Sequence, residues 1–272
     1  MLLLEPVSCE LFWSELICKL SIKRTLATYM LLNCDLGESY GYWKIAADPL
    51  VMPFIDMANI ACGYHAGDPQ VMQKTIALAK QYQVKIGAHP SYPDRQGFGR
   101  RSMQLSHDEI ENMLIYQLGA LVGMCKSQGC QVSYVKPHGA LYNDMMKNDE
   151  VLSAIFSAIK KYATAMPFLL MATGNNAGYK QKADQYGVKV MFEAFADRAY
   201  DDEGYLVSRK VDGAVLKTPE KILNRATELK TQGTIQSING KTIRMEAETL
   251  CVHGDNEQAV NMIQSLKQCL AE

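Results

Sequence analysis

The sequence predicts an α/β protein in which a parallel sheet is wrapped by helices and closed into one barrel-like domain. Three observations carry the prediction. Short apolar runs alternate with amphipathic stretches about seven times along the chain. Nearly every apolar run empties at once into a polar, glycine-containing loop, the layout that gathers a barrel's functional loops on one rim. No proline- or serine-rich linker interrupts the series, and 272 residues is a length that α/β barrels reach as one unit. An open doubly wound sheet is the alternative. It fits less well, because no Gly-x-Gly-x-x-Gly follows the first strand and no P-loop occurs.

The elements follow in order. Met30 to Cys34 is the first strand, running into Asp35, Gly37 and Glu38. Asp48-Pro49 reads as an N-cap with Pro at the first helical position. Met57 to Ala61 is the second strand, ending at Cys62-Gly63-Tyr64-His65-Ala66-Gly67-Asp68; Asp68-Pro69 then opens a helix with Met72, Ile76 and Ala79 on one face. Val84 to Ala88 is the third strand. Ser106 and Glu109 form a capping box for a helix carrying Ile110, Met113, Leu114, Leu118 and Leu121 and ending at Gly129. Val132 to Val135 is the fourth strand, before Lys136-Pro137-His138-Gly139, and a helix through Val151, Leu152, Ile155 and Ile159 follows. Phe168 to Met171 and Val188 to Phe192 are the fifth and sixth strands. Thr218-Pro219-Glu220 starts a helix that ends near Gly233. Ile235 to Met245 is read as a hairpin with a type I′ turn at Asn239-Gly240. Glu248 to Val252 is the seventh strand, and Asn256 to Leu270 the closing helix.

Composition narrows the function. A formal net charge of -1 gives no basic face for nucleic acid or an acidic membrane. The eight Cys form no CxxC pair, which argues against a zinc ribbon and for reduced thiols in the cytoplasm. Residues 1–29 lack an uninterrupted apolar span and a secretory cleavage pattern. They read either as an amphipathic helix packed on the body or, preferably, as an extension ahead of a domain spanning 30–272, because regular patterning begins at Met30.

The densest chemistry lies in Gly87 to Arg101, GAHPSYPDRQGFGRR, a segment too rich in turn formers to be helix or strand. Four of the five His, namely His65, His89, His138 and His253, stand just past a strand; His107 lies at a helix start and reads as solvated. The carboxylates Asp35, Glu38, Asp68, Asp94, Glu193, Asp197 and Asp255 share that rim. Two chemistries fit. One is a divalent metal held by Asp and His, polarising a carbonyl and lowering the pKa of water; the other is metal-free acid–base work. Arg95, Arg100, Arg101, Arg198 and Lys136 suit a carboxylate or phosphate. Cys34, Cys62 and Cys251 near strand ends read as small buried apolar residues rather than nucleophiles.

Six segments extend the reading: NCDLGES from Asn33, ANIACGYHAGDP from Ala58, GAHPSYPDRQGFGRR, VKPHGALYN from Val135, EAFADRAYDDEGYLVSR from Glu193 and TLCVHGD from Thr249. With these, the chain from Met30 onward resembles the LamB/YcsF family of 5-oxoprolinase A subunits; Glu203 stands where that family often has Asp. The resemblance implies a distorted seven-stranded (β/α) barrel similar to the glycoside hydrolase/deacetylase superfamily. It implies hydrolysis of 5-oxo-L-proline to L-glutamate, coupled to conversion of ATP to ADP and phosphate, in a complex with subunits B and C. On that reading Asp35, His65, His89 and His138 hold and activate water, through a divalent metal if the deacetylase analogy extends so far. Glu193, Asp197 and His253 assist proton transfer to nitrogen. Arg100 or Arg198 anchors the substrate, with Arg95, Arg101, Lys136 and Asn143 as further contacts. The rivals are a metal-dependent deacetylase acting alone and a non-catalytic substrate-binding or scaffold subunit.

Overall fold

The strand residues pair as β1 (Leu31–Leu36), β2 (Met57–Ala61), β3 (Lys85–His89), β4 (Val132–Val135), β5 (Phe168–Met171) and β6 (Val190–Phe195), all parallel. A small antiparallel pair, β7 (Thr234–Gln236) and β8 (Thr242–Arg244), is set apart from them. The final strand, β9 (Thr249–Val252), bonds to both β1 and β6 and closes a seven-stranded barrel. This computed structural model describes residues 30–45, 47–252 and 257–271; the expected extension 1–29, and His253 and Asp255, lie outside the described residues. Strands β2, β5 and β9 are buried at every position, as expected of parallel strands covered on both faces.

The helices are α1 (Asp48–Val51), α2 (Pro69–Gln81), α3 (His107–Ser127), α4 (Gly139–Met145), α5 (Asp149–Tyr162), α6 (Asn176–Tyr186), α7 (Pro219–Gln232) and α8 (Glu257–Ala271). Asp68 caps α2 by accepting from Gln70 and Val71 N–H, and the Ser106–Glu109 box caps α3. Met72, Ile76 and Ala79, like Ile110, Leu114, Leu118 and Leu121, pack into the core. Among the described residues no helix is long and apolar enough to cross a membrane.

Four expectations need correction. Asp48 is the first residue of α1 rather than its cap, and its carboxylate instead accepts from Gly37 N and Thr75 Oγ1, tying the β1 loop to α2. Strand β6 starts at Val190 and runs to Phe195, because Gly187 ends α6 in the left-handed conformation and leaves Val188 in the connection. Glu193 is therefore a barrel residue and not a loop residue. The β7–β8 connection is not type I′: of Asn239 and Gly240, only Gly240 has positive φ, and Gly240 N donates to Ser237 O. Helix α4, starting directly after His138, was not anticipated.

The barrel interior has two layers. Met57, Tyr134 and Leu169 form an apolar plug, and the Tyr134 ring occupies the space a Cβ on Gly87 would need, at 2.1 Å. Above the plug lies a buried polar network. Tyr134 Oη donates to Asn59 Oδ1 at 2.6 Å, Asn59 Nδ2 donates to Asn33 Oδ1 and Asp35 Oδ1, and Asn33 Nδ2 donates to Thr249 Oγ1 and Glu193 Oε2. Each of these side chains makes at least one hydrogen bond, although Glu193 Oε1 itself has none, and this pairing lets a polar layer exist in a core at all.

Candidate active site

Lys136, at the end of β4, points back into this network. Its ammonium lies 3.2 Å from Asp35, 3.1 Å from Glu193 and 3.0 Å from the Cys251 sulfur. Burial alone would lower its pKa, but the surrounding negative charge of Asp35 and Glu193 holds it well above the ordinary lysine value. Cys251, and likewise Cys34, is pushed far above the usual thiol value by burial, and Cys62 up to about 12. These thiols stay neutral, as expected of small buried residues and unlike nucleophiles.

On the rim, three imidazoles converge. The rings of His65 and His138 stack 3.8 Å apart, with the His89 ring nearly perpendicular to both. His89 Nε2 lies 3.0 Å from His138 Nδ1 and 3.3 Å from Asp35 Oδ2. Glu38 Oε1 lies 3.2 Å from His65 Nε2 and 3.4 Å from His138 Nδ1. Burial, reinforced by the neighbouring imidazoles, holds His65 and His138 well below the ordinary histidine value, so both are neutral near pH 7.

The Gly87 to Arg101 segment builds the cover over this cluster. Asp94 accepts from Gly97 N and Arg101 N, and pairs with the Arg101 guanidinium, which holds its carboxyl below the usual 3.8. The resulting turn puts Phe98 and Gly99 at positive φ. Phe98 then meets His65 and His138 edge-on, and its carbonyl lies 2.8 Å from His138 Nε2. Gly99 sits so close that a Cβ there would be 2.8 Å from both His138 Cδ2 and His65 Cβ.

Beside the cluster opens a cavity of about 500 Å³. Asp35, His89, Lys136 and His138 line its floor; Arg100, Asn143, Lys147, Arg198, Arg209 and Lys210 bring polar and cationic groups around it, with Tyr142 and Phe195 as aromatic wall.

A sequence profile of the LamB/YcsF family matches residues 30–272. The chain belongs to the LamB/YcsF family. Relatives include the 5-oxoprolinase A subunit of Pseudomonas fluorescens strain Pf0-1, 52% identical over 243 residues, covering 89% of this chain and 97% of that one. The 5-oxoprolinase A subunit of Vibrio campbellii is 50% identical over 241 residues, covering 89% and 95%. Among solved structures, the lactam utilization protein from Thermus thermophilus is 35% identical with a TM-score of 0.82, covering 89% of this chain and 96% of that one.

Within this LamB/YcsF barrel the sequence-predicted residues divide. Asp35, His65, His89 and His138 come together, and Arg100, Lys136, Asn143 and Arg198 reach the same cavity. Arg95 and Arg101 do not line it: Arg95 lies over the Tyr40 ring and donates to Gly63 O, and Arg101 is spent on Asp94. Asp68 is a helix cap. Glu193 is sealed inside the barrel, and Asp197 is buried without lining the cavity. Arg198 has part of its guanidinium committed to the carbonyls of Val207 and Ala214, and burial lowers its pKa to about 10. Sequence reasoning passed over Lys147, Arg209 and Lys210, which sit in irregular or helix-end positions. It also gave Glu38 no ligand role, although Glu38 stands nearer His65 and His138 than the expected Asp35.

Proposed function

We propose that this chain is the A subunit of a 5-oxoprolinase and that its rim cavity opens the lactam of 5-oxo-L-proline to L-glutamate. One observation carries the reading: a single cavity has proton-transfer groups on its floor and cations on its wall, as hydrolysis of a small carboxylated amide requires. The close relatives named for that activity, and a structural relative named for lactam utilization, support the substrate class. Water adds through oxygen to the lactam carbonyl carbon, the carbon–nitrogen bond breaks, and the ring nitrogen gains a proton. Asp35, which lines the cavity and lies 3.3 Å from His89 Nε2, accepts the water proton and returns a proton to the leaving nitrogen, while His89 and His138 position the water. Arg100 and Arg209 hold the substrate's anionic group, and Phe98 and Phe195 limit water entry. Glu38, His65, His89 and His138 have the donor set for a divalent cation, which when bound polarises a carbonyl and lowers the pKa of water.

An unstrained lactam resists hydrolysis, so ATP, consumed to ADP and phosphate in a complex with subunits B and C, fits as the source of activation. The six free thiols among the described residues fit a cytoplasmic setting. The test is glutamate release from 5-oxoproline by this protein alone and with B and C partner subunits, with and without ATP. Release only with all three and ATP, lost in His89→Ala and His138→Ala variants of native fold, is expected. Near-normal release by both variants would sink the assignment; ATP-independent acetate release from N-acetyl substrates would favour a deacetylase instead.

A further inference from the structure

We infer that Glu38, His65, His89 and His138 form a binding site for one borderline-soft divalent transition metal of the zinc type, with Glu38 and not Asp35 as its carboxylate. The inference deepens the hydrolase reading of the same site. It stands on the hydrogen bonds behind each imidazole. His89 Nδ1 is 2.7 Å from the Lys136 carbonyl oxygen, and His138 Nε2 is 2.8 Å from the Phe98 carbonyl oxygen, so both of these nitrogens must be the N–H donors. Ser91 Oγ donates to Tyr92 O, so it accepts from His65 Nδ1 at 2.9 Å. Ser91 is itself clamped through its backbone N–H and C=O by the buried Gln117 side chain of α3.

All three tautomers are thereby fixed; of the three remaining ring nitrogens, His65 Nε2 and His138 Nδ1 lie 3.2 and 3.4 Å from Glu38 Oε1, and His89 Nε2 lies 3.0 Å from His138 Nδ1. Neutral imidazoles then leave two lone pairs facing each other 3.0 Å apart at His89 and His138, and a third facing a carboxylate oxygen 3.2 Å away at His65. Protons could relieve these contacts only two at a time, one in each. One cation relieves both at once. The separations also suit it: bonds of about 2.0–2.1 Å in a tetrahedral shell place donors about 3.3 Å apart, and all four donors here lie within 4.8 Å of one another. Three imidazoles select zinc, cobalt or nickel over magnesium or calcium, which favour all-oxygen shells. Outer partners that fix each imidazole's tautomer are the usual support of such sites. Asp35 is already engaged by Lys136 and Asn59 and serves as a neighbour.

The test uses the full chain, stripped with chelator and titrated with zinc or cobalt chloride. One retained equivalent is expected, with a visible cobalt spectrum of low coordination number. Glu38→Gln and His138→Ala, checked for native circular dichroism, should each weaken binding by at least about 100-fold; Asp35→Asn should keep one equivalent. No uptake by the wild type, equal affinity in Glu38→Gln and His138→Ala, or loss of metal only in Asp35→Asn would overturn the assignment. Glutamate release is scored separately, so binding without turnover counts against the hydrolase reading alone, and turnover without binding against the metal alone.

Discussion

Lys136 Nζ lies 3.1 Å from Glu193 Oε2, and both side chains are sealed from solvent inside the barrel. The same ammonium also serves Asp35, so one cation balances two carboxylates. Lys136→Met should strand those charges and destabilise the fold by about 3–5 kcal/mol, read by urea denaturation. Combining it with Glu193→Gln should recover part of the loss. Wild-type stability in the single variant would mean that the charge pairing contributes nothing.

Gly99 is the closest approach of the covering loop to the imidazoles. With φ +64 and a Cβ clash of 2.8 Å against both His65 and His138, Gly99→Ala must displace the loop or the rings. We expect kcat to fall on the order of 100-fold while the melting temperature drops only a few degrees, since the core strands are untouched. An unchanged kcat would show that the cover does not set the geometry of the cluster.

Asp94 holds that loop in turn, and its titration has a definite sign. The Arg101 hydrogen bond keeps the folded-state pKa below the usual 3.8. Its contribution is therefore present above pH 3.8 and is lost as pH falls through the lowered value. Asp94→Asn should be less stable than wild type at pH 7, and the gap should close below pH 3.8. Denaturation midpoints at both ends of that range decide it; a constant gap would argue against an ionic contribution.

Two arginines of the cavity should separate cleanly. Arg198 is buried and braces the Val207 and Ala214 carbonyls, so Arg198→Ala should lower the melting temperature as well as activity. Arg209 is exposed on the cavity wall, so Arg209→Ala should raise KM about tenfold with an unchanged melting temperature. Reversed outcomes would exchange their roles.

The barrel was legible because its strands are continuous apolar runs bounded by strong punctuation: β4 and β5 fall where the sequence puts them, and the caps at Asp68 and Ser106 act as read. His65 and His138 were legible because each stands past a strand end, and His89 because it closes β3. Legibility failed where a distant partner overrides a local preference. Glu193 looked like a loop residue because a carboxylate in a core strand is costly, and Lys136 and Asn33, both far away in sequence, make it tolerable. Arg95 and Arg101 looked like substrate anchors because the sequence does not show that a turn spends one on Asp94 and lays the other over Tyr40. Glu38 was passed over because its approach to His65 depends on the path of the loop after β1, which the Asp48 carboxylate helps to fix.

The contributions to the rim are unevenly distributed around the barrel. Asp35, Glu38, His65, His89 and His138 all lie at or just past the ends of the first four strands, whereas Arg198, Arg209 and Lys210 follow β6. Apart from Arg100, which reaches the cavity from the loop after β3, the molecule is thus divided between a reactive half and a selecting half. Exchanging the segment from Arg198 to Lys210 could retarget such a barrel to a differently sized cyclic amide while its bond-breaking chemistry is inherited intact, a natural route by which one ancestor yields several ring-openers.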